Sequence, residues 1–291
     1  MLKMKLAAAV LGLTLATAPA FAQGPNCTRE DLEGMVASYV AAQTNGDPLK
    51  LPLADWTQYN ENLEVGTLFG GILSKPLNIA FHRSIHDLSI CTSFVEVIVT
   101  DPVPYVIGMR LQFAGRYNAI AANRVNDLES IVTGQKDWLF NARKTLGFSK
   151  AENWGVIPEA ERDSRNTLVA AANAYLDLFN DKKVQVPWGT PCARLEGGLY
   201  TGKGKPGEAT AEDSCAVGVP SGVKLAERRY IVDESLGAVA VILEFGNNHL
   251  PDVHAFRIEK GKIRYVHTMT VCKSENCGLQ LSDDVKKRLA D

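Results

Sequence analysis

The chain has no apolar run of 18 or more residues, so no segment is long enough to cross a bilayer as a helix. It also lacks an excess of positive charge. Its 31 basic and 33 acidic residues give a formal charge of -2, which supplies no basic field for nucleic acid or anionic lipid. Metal-ligand spacing is missing too: Cys272 and Cys277 form a C-x4-C with no second close pair and no nearby H-x3-5-H. The Gly-rich loop GGLYTGKGKPGE around Tyr200 lacks the spacing of a phosphate-binding motif and reads instead as a flexible lid. Nucleic acid, membrane, metal and cofactor are therefore not expected as partners.

What is present begins at the N-terminus. Lys3 and Lys5 precede the apolar stretch Leu6 to Leu15, and Ala20-Phe21-Ala22 follows. A charged start, a short apolar core and an A-x-A site predict a secretory signal peptide over residues 1–22, cleaved after Ala22. The expected product is a soluble periplasmic or extracellular protein. Its formal charge would be -4, because the removed segment carries two lysines and no acid.

All six cysteines, Cys27, Cys91, Cys192, Cys215, Cys272 and Cys277, lie beyond Ala22. An even count in an exported chain favours three disulfides, although six cysteines allow roughly fifteen pairings and sequence does not choose among them. The working assignment is Cys27 with Cys91, Cys192 with Cys215, and Cys272 with Cys277.

The same unit occurs twice along the chain. Asp31 to Gln43 carries Leu32, Met35, Val36, Tyr39 and Val40 at helical spacing, and Arg165 to Phe179 carries Leu168, Val169, Ala172, Tyr175, Leu176 and Phe179. Each helix precedes a Trp-containing segment ending in Leu-Glu-x-Gly: LADWTQYNENLEVG over residues 53–66 and VPWGTPCARLEGG over residues 186–198. Trp56 then matches Trp188, and Glu64 matches Glu196. Two strand hairpins follow in each half, with Asp87 against Asp233 and Arg110 against Arg257. Landmarks in the same order argue for duplication. The expected domains are residues 23–148 and 164–291, joined by a linker over 149–163.

A helix followed by a run of antiparallel strands is an α+β layout in which a sheet wraps around a helix. The segments WTQYNENLEVG, PCARLEGGLYTG, RRYIVDE and KIRYVHTMTVC resemble the nuclear-transport-factor-2-like fold, also called SnoaL-like or ketosteroid-isomerase-like. The resemblance implies two tandem cone-shaped α+β barrels, each a curved antiparallel sheet around N-terminal helices. The last three segments also resemble a secreted tandem family of fungi and bacteria that includes glutathione-independent, cofactor-independent lignin β-etherases. That likeness implies a hydrolase or lyase acting on a small hydrophobic aromatic molecule, with a lignin-derived aryl ether as leading substrate. It also implies contact between cones, as a homodimer or an internal pseudo-dimer. The alternative is a non-catalytic module that binds a small ligand or stabilises a partner.

The residues that could carry chemistry cluster in HAFRIEKGKIRYVH. Lys260-Gly261 reads as a two-residue type I′ turn. Regular pairing from that turn sets His254 opposite His267, with Cβ atoms roughly 4.5 to 5.5 Å apart. Strand alternation then puts Asp252, His254, Phe256, Tyr265, His267 and Met269 on one apolar face. Two imidazoles in an apolar cavity suit acid-base work, because desolvation and a like neighbour keep one of them neutral. The expected catalytic residues are His254, His267, Tyr265, Arg194 and Glu196, and the expected substrate-binding residues are Phe256, Asp252, Met269 and Tyr200. A lone histidine on an apolar strand face is more often a hydrogen-bonded core residue. Glu196 recurs as Glu64 and so reads as structural, whereas Arg194, opposite Asn62, is unrepeated. The first-half positions matching the two histidines, Ile107 and Ile120 or Ala121, are apolar. The second domain is therefore expected to be the functional one and the first a diverged support.

Overall fold

The computed structural model describes residues 27–114, 123–204, 206–208 and 210–290. The predicted signal peptide lies outside these residues, as do Ile120 and Ala121. Helix α1 (Arg29–Asn45) starts at a capping box, in which the Thr28 hydroxyl accepts from the Asp31 amide and Asp31 bonds back to the cap. It stops at Gly46, which takes the left-handed conformation with φ 62°. Its face of Leu32, Met35, Val36 and Tyr39 is buried. That face covers a sheet built from β1 (Leu53–Glu61), β2 (Glu64–Val65), β3 (Ile79–Asp87), β4 (Thr92–Val99), β5 (Tyr105–Phe113) and β6 (Val125–Thr133).

Helix α2 (Ala142–Ala151) leads from the first half to α3 (Arg165–Leu178), which is capped by the Ser164 hydroxyl. The second sheet contains β7 (Trp188–Glu196), β8 (Leu199–Tyr200), β9 (Leu225–Asp233), β10 (Ala238–Phe245), β11 (Leu250–Glu259) and β12 (Lys262–Thr270). Leu168, Ala172, Tyr175 and Leu176 of α3 pack on it. A last helix, α4 (Asp283–Ala290), closes the described chain.

The two sheets have the same strand order, β2-β1-β6-β5-β4-β3 and β8-β7-β12-β11-β10-β9. Each is a mixed, open sheet. The first strand pairs in parallel with the last, β1 with β6 and β7 with β12, and β3 and β9 remain edges. The expectation of antiparallel barrels is corrected on both points. A strand returning to the start of its own sheet after four intervening strands can arrive in either direction, and here it arrives parallel.

The sheets press together through the faces turned away from their helices. A third core lies there, with Ile85, Phe94, Ile98 and Ile131 from the first sheet against Ile231, Ile242, Val253 and Met269 from the second. Polar contacts at its margin are reciprocal. Arg29, the first residue of α1, pairs with Asp233 at 2.7 Å, and Arg165, the first residue of α3, pairs with Asp87 at 2.8 Å. Asp87 also accepts from the Val232 amide at 2.9 Å, and Asp233 from the His86 amide at 3.1 Å. Contacts repeated in both directions mark a pseudo-twofold, isologous interface within one chain.

Cysteines pair as Cys27–Cys91, Cys192–Cys215 and Cys272–Cys277, which matches the working assignment. Three bridges fit an oxidising, exported environment. Among the described residues no helix is long and apolar enough to cross a membrane.

The hairpin of β11 and β12 departs from the expected register. Its turn is as read, with positive φ at both Lys260 (53°) and Gly261 (67°), and Glu259 faces Lys262 while Ile258 faces Ile263. The pairing then slips by one: Arg257 faces Tyr265, Ala255 faces His267, and His254 faces Thr268. Arg264 is the extra residue of a β-bulge. The neighbouring strand β7 is irregular at the same level, where Ile263 faces Trp188 and Tyr265 faces Ala193. Pro191 sits in that stretch and has no N–H to donate to the ladder. One inserted residue moves every later side chain of β12 to the other face of the sheet.

Candidate functional site

The slip separates the two histidines. His254 stays on the face beneath α3, within about 6 Å of the Tyr175, Phe179 and Phe256 rings (centroid distances 5.6, 6.1 and 6.1 Å). His267, Tyr265 and Met269 turn toward the first domain and join the core between the sheets. Thr268 and Thr270 take the places expected for His267 and Met269.

Under α3 the sheet encloses a cavity of about 460 Å³, walled mainly by Phe179, Val223, Phe245, Leu250 and Trp138. His254, Glu196, Thr268 and Thr270 supply its polar surface. Asp252 is fully buried two residues from His254 on the same face, and its Oδ1 lies 2.7 Å from His254 Nδ1. The two atoms are out of line for a straight hydrogen bond. A hydrogen on Nδ1 relieves the lone-pair repulsion at that separation, and a ring in that tautomer has Nε2 as its acceptor. Asp252 Oδ2 accepts from the Thr270 hydroxyl at 2.6 Å, which fixes the carboxylate. The order is hydroxyl, carboxylate, imidazole, cavity.

Arg194, on β7, is 2% exposed. It donates to the Tyr175 hydroxyl at 3.2 Å and to the Val217 carbonyl, and pairs with Glu196 Oε1 at 3.2 Å. Burial raises the Tyr175 phenol well above its ordinary range, more than Arg194 lowers it. Tyr175 therefore stays protonated. Glu196 also receives the Trp138 indole N–H at 3.5 Å. Trp138 comes from the segment before α2, so the cavity wall is completed by residues outside the second sheet.

Residues 161–270 match a family model described as a domain of unknown function, DUF8021. No curated protein matches the chain. The matched segment runs from just before α3 to the end of β12 and contains Arg194, Glu196, Asp252, His254, Thr268 and Thr270. Trp138 lies outside it.

His267 occupies a different environment. Its Nδ1 lies 2.8 Å from Glu96 on β4, and its Nε2 lies 2.6 Å from Glu152, just after α2. Arg83 on β3 pairs with Glu96 at 2.6 Å. Burial alone would lower the imidazole's pKa, but Glu152 and Glu96 outweigh it and push it up to about 9. For Glu96 burial opposes ionisation, yet His267 and Arg83 hold the carboxyl down at about 2. His267 is thus a buried imidazolium tying the halves together. Tyr265 lies beside it, with its ring centroid 6.1 Å from Trp154.

The remaining expected residues are placed plainly. Phe256 is fully buried beside His254. Asp252 holds the histidine. Tyr200 lies on β8, stacked on Phe148 with ring centroids 4.0 Å apart, and does not line the cavity. Among the described residues no group of three or more His, Cys, Asp or Glu side chains could hold a metal ion. Sequence reasoning missed Thr268, Thr270 and Trp138. The threonines follow from the register alone, but Trp138 is brought in from a distant segment and leaves no local signal.

Among the described residues, the space beneath α1 in the first domain is taken up by buried side chains. Ladder positions make Glu61 the counterpart of Glu196, since each is paired with the residue, Ser130 or Thr268, at the same place on the parallel strand. Met109, opposite Ser130, is the counterpart of His254. The sequence alignment to Glu64 and Ile107 is corrected by three and two residues, because the halves differ in loop length before these strands. Buried Ile72 and Leu73 fill the space beneath α1. The Ile72 amide donates to Glu61 at 2.6 Å, which seals that carboxylate.

Proposed function

We propose that the chain is a cofactor-independent acid-base enzyme acting on a small apolar aromatic molecule in the cavity beneath α3. The observation that carries this reading is the Asp252–His254 pair at the base of an otherwise apolar pocket of about 460 Å³. Apolar walls with a few convergent polar groups are the usual form of a small-molecule site. Asp252 fixes the tautomer, and Nε2 of His254 accepts a proton from the substrate. The common strand order and the helix across each sheet support the nuclear-transport-factor-2-like cone as the ancestry of both halves. A lignin-type aryl ether is the leading substrate.

In that reaction His254 removes the proton of a phenol. The phenolate expels a benzylic aryloxide to form a quinone methide while the imidazolium keeps its proton beside the phenol oxygen. Water then adds to the benzylic carbon, its released proton goes to the departed aryloxide, and the imidazolium returns its own proton to the phenol oxygen, which restores the phenol and the free imidazole. Glu196, held by Arg194, faces the same space and can orient the water.

The test is to incubate the protein with a phenolic aryl-ether dimer, without glutathione, nicotinamide or added metal, and to measure released phenol. Turnover that falls by on the order of 10²–10⁴ in His254→Ala is the expected outcome. An absence of turnover in the unaltered protein removes the enzymatic reading and leaves a ligand-binding module.

A further inference from the structure

Thr268 is 7% exposed, and its hydroxyl has no hydrogen-bond partner among the described residues. Buried hydroxyls normally have one. This one stands directly across the ladder from His254, so the two side chains share a face with Cβ atoms roughly 4.5 to 5.5 Å apart. The neighbouring Thr270 is engaged with Asp252 at 2.6 Å. Thr268 lines the apolar cavity and also a void of about 10 Å³ behind it.

The first domain shows what meets this position where the space beneath the helix is filled. Ser130, the counterpart of Thr268, has its hydroxyl 3.1 Å from that of Tyr59 and 3.5 Å from the Asn60 carbonyl. Tyr59 occupies the place of Arg194. In the second domain Arg194 turns away to Tyr175 and Val217, and Thr268 is left without that partner. At this ladder position the half with the cavity has an unpaired hydroxyl and the filled half a paired one.

We propose that Thr268 is the second anchor of a two-point clamp for a single ligand hydroxyl, the ligand being a small phenol. The phenol donates its proton to Nε2 of His254 and accepts from the Thr268 hydroxyl, which a rotation of χ1 between staggered positions brings to the cavity wall. The clamp holds the phenol oxygen while its proton is on the imidazole. The assignment rests on the cavity being the ligand site of the preceding reading, but not on turnover.

Calorimetric titration of the full chain with 4-methylphenol and with its methyl ether, 4-methylanisole, tests the clamp. Thr268→Val keeps the branched shape and removes the hydroxyl. It is expected to weaken 4-methylphenol by about tenfold, the effect of one hydrogen bond, and to leave 4-methylanisole unchanged. Thr268→Ser is expected to bind the phenol as the unaltered protein does. Three results overturn the proposal: no phenol binding to the unaltered protein, phenol affinity in Thr268→Val within twofold of it, or equal loss for both ligands. Thr268-dependent phenol binding without ether cleavage supports the clamp and removes the enzymatic reading. Ether cleavage with unaltered phenol affinity in Thr268→Val does the reverse.

Discussion

Asp252 is the residue on which His254 depends. Both are buried, and the carboxylate is held by Thr270 so that its other oxygen meets Nδ1 at 2.7 Å. Asp252→Asn keeps the shape and the acceptor for Thr270, but its amide can donate toward Nδ1. The imidazole hydrogen then moves to Nε2, and the nitrogen facing the cavity no longer accepts a proton. Activity on the aryl ether is expected to fall by on the order of 10²–10⁴ in kcat, with affinity for the phenol weakened by only about tenfold through loss of its acceptor at Nε2. Separate measurement of kcat and KM checks this, and a change confined to KM counts against the assigned tautomer. Asp252 and His254 are legible in the sequence because alternation along one strand puts them on one face without long-range information, whereas the Trp-marked repeat singles out the segment of Arg194 and Glu196 but aligns it three residues out of step with the first half. His267 and Tyr265 are not legible, because their placement depends on a register propagated through Arg264. A bulge is set by the neighbouring strand, and nothing in HAFRIEKGKIRYVH itself announces it.

At the level of strands, the halves solve one contact in two ways. Glu129 on β6 and His267 on β12 occupy matching positions, each just before the residue that faces the interior glutamate. Glu129 pairs with Arg229 across the interface. His267 places a cation at its end, and Glu96 and Glu152 are needed to balance it. The pH dependence follows from the folded values. With a folded pKa of about 9 against the ordinary 6.5, His267 contributes stability that is complete below about pH 6.5 and is lost as pH rises through about 9. Glu96, held at about 2 against 4.5, contributes stability present above about pH 4.5 and lost as pH falls toward 2. The alkaline loss is about 3 kcal/mol from the size of the shift. Urea unfolding from pH 6 to 10 is expected to show that decline, and His267→Gln to remove it. An equal slope in the variant would falsify the assignment of the alkaline limb to this imidazole.

As a whole, the molecule has three cores, and the one between the sheets belongs to neither half. Burial of both faces of β4, β10, β11 and β12 follows from this. The face of each sheet turned away from its helix meets the other domain and not water. The duplication, the helix-then-strands order and the three disulfides are legible in the sequence, whereas the open mixed sheets are not, since parallel return of a last strand leaves no local pattern. If the third core holds the halves together, then cutting the exposed segment Glu159–Glu161 with an inserted protease site leaves them associated. Size-exclusion chromatography in native buffer is expected to give one species at the uncut elution volume. Two separated fragments would show that the covalent link, and not the interface, maintains the pair.

The reciprocal pairs Arg29–Asp233 and Arg165–Asp87 have one more consequence. In a dimer of identical chains, any substitution appears on both sides of the axis at once, so a change that suits one pocket is imposed on the other. Fusing the two units into one polypeptide lifts that coupling while the mutual contacts remain. One interior is then free to fill with Ile72 and Leu73 and become scaffold. The other keeps its hollow and its unpaired hydroxyl, and the loss of symmetry costs the shared interface nothing.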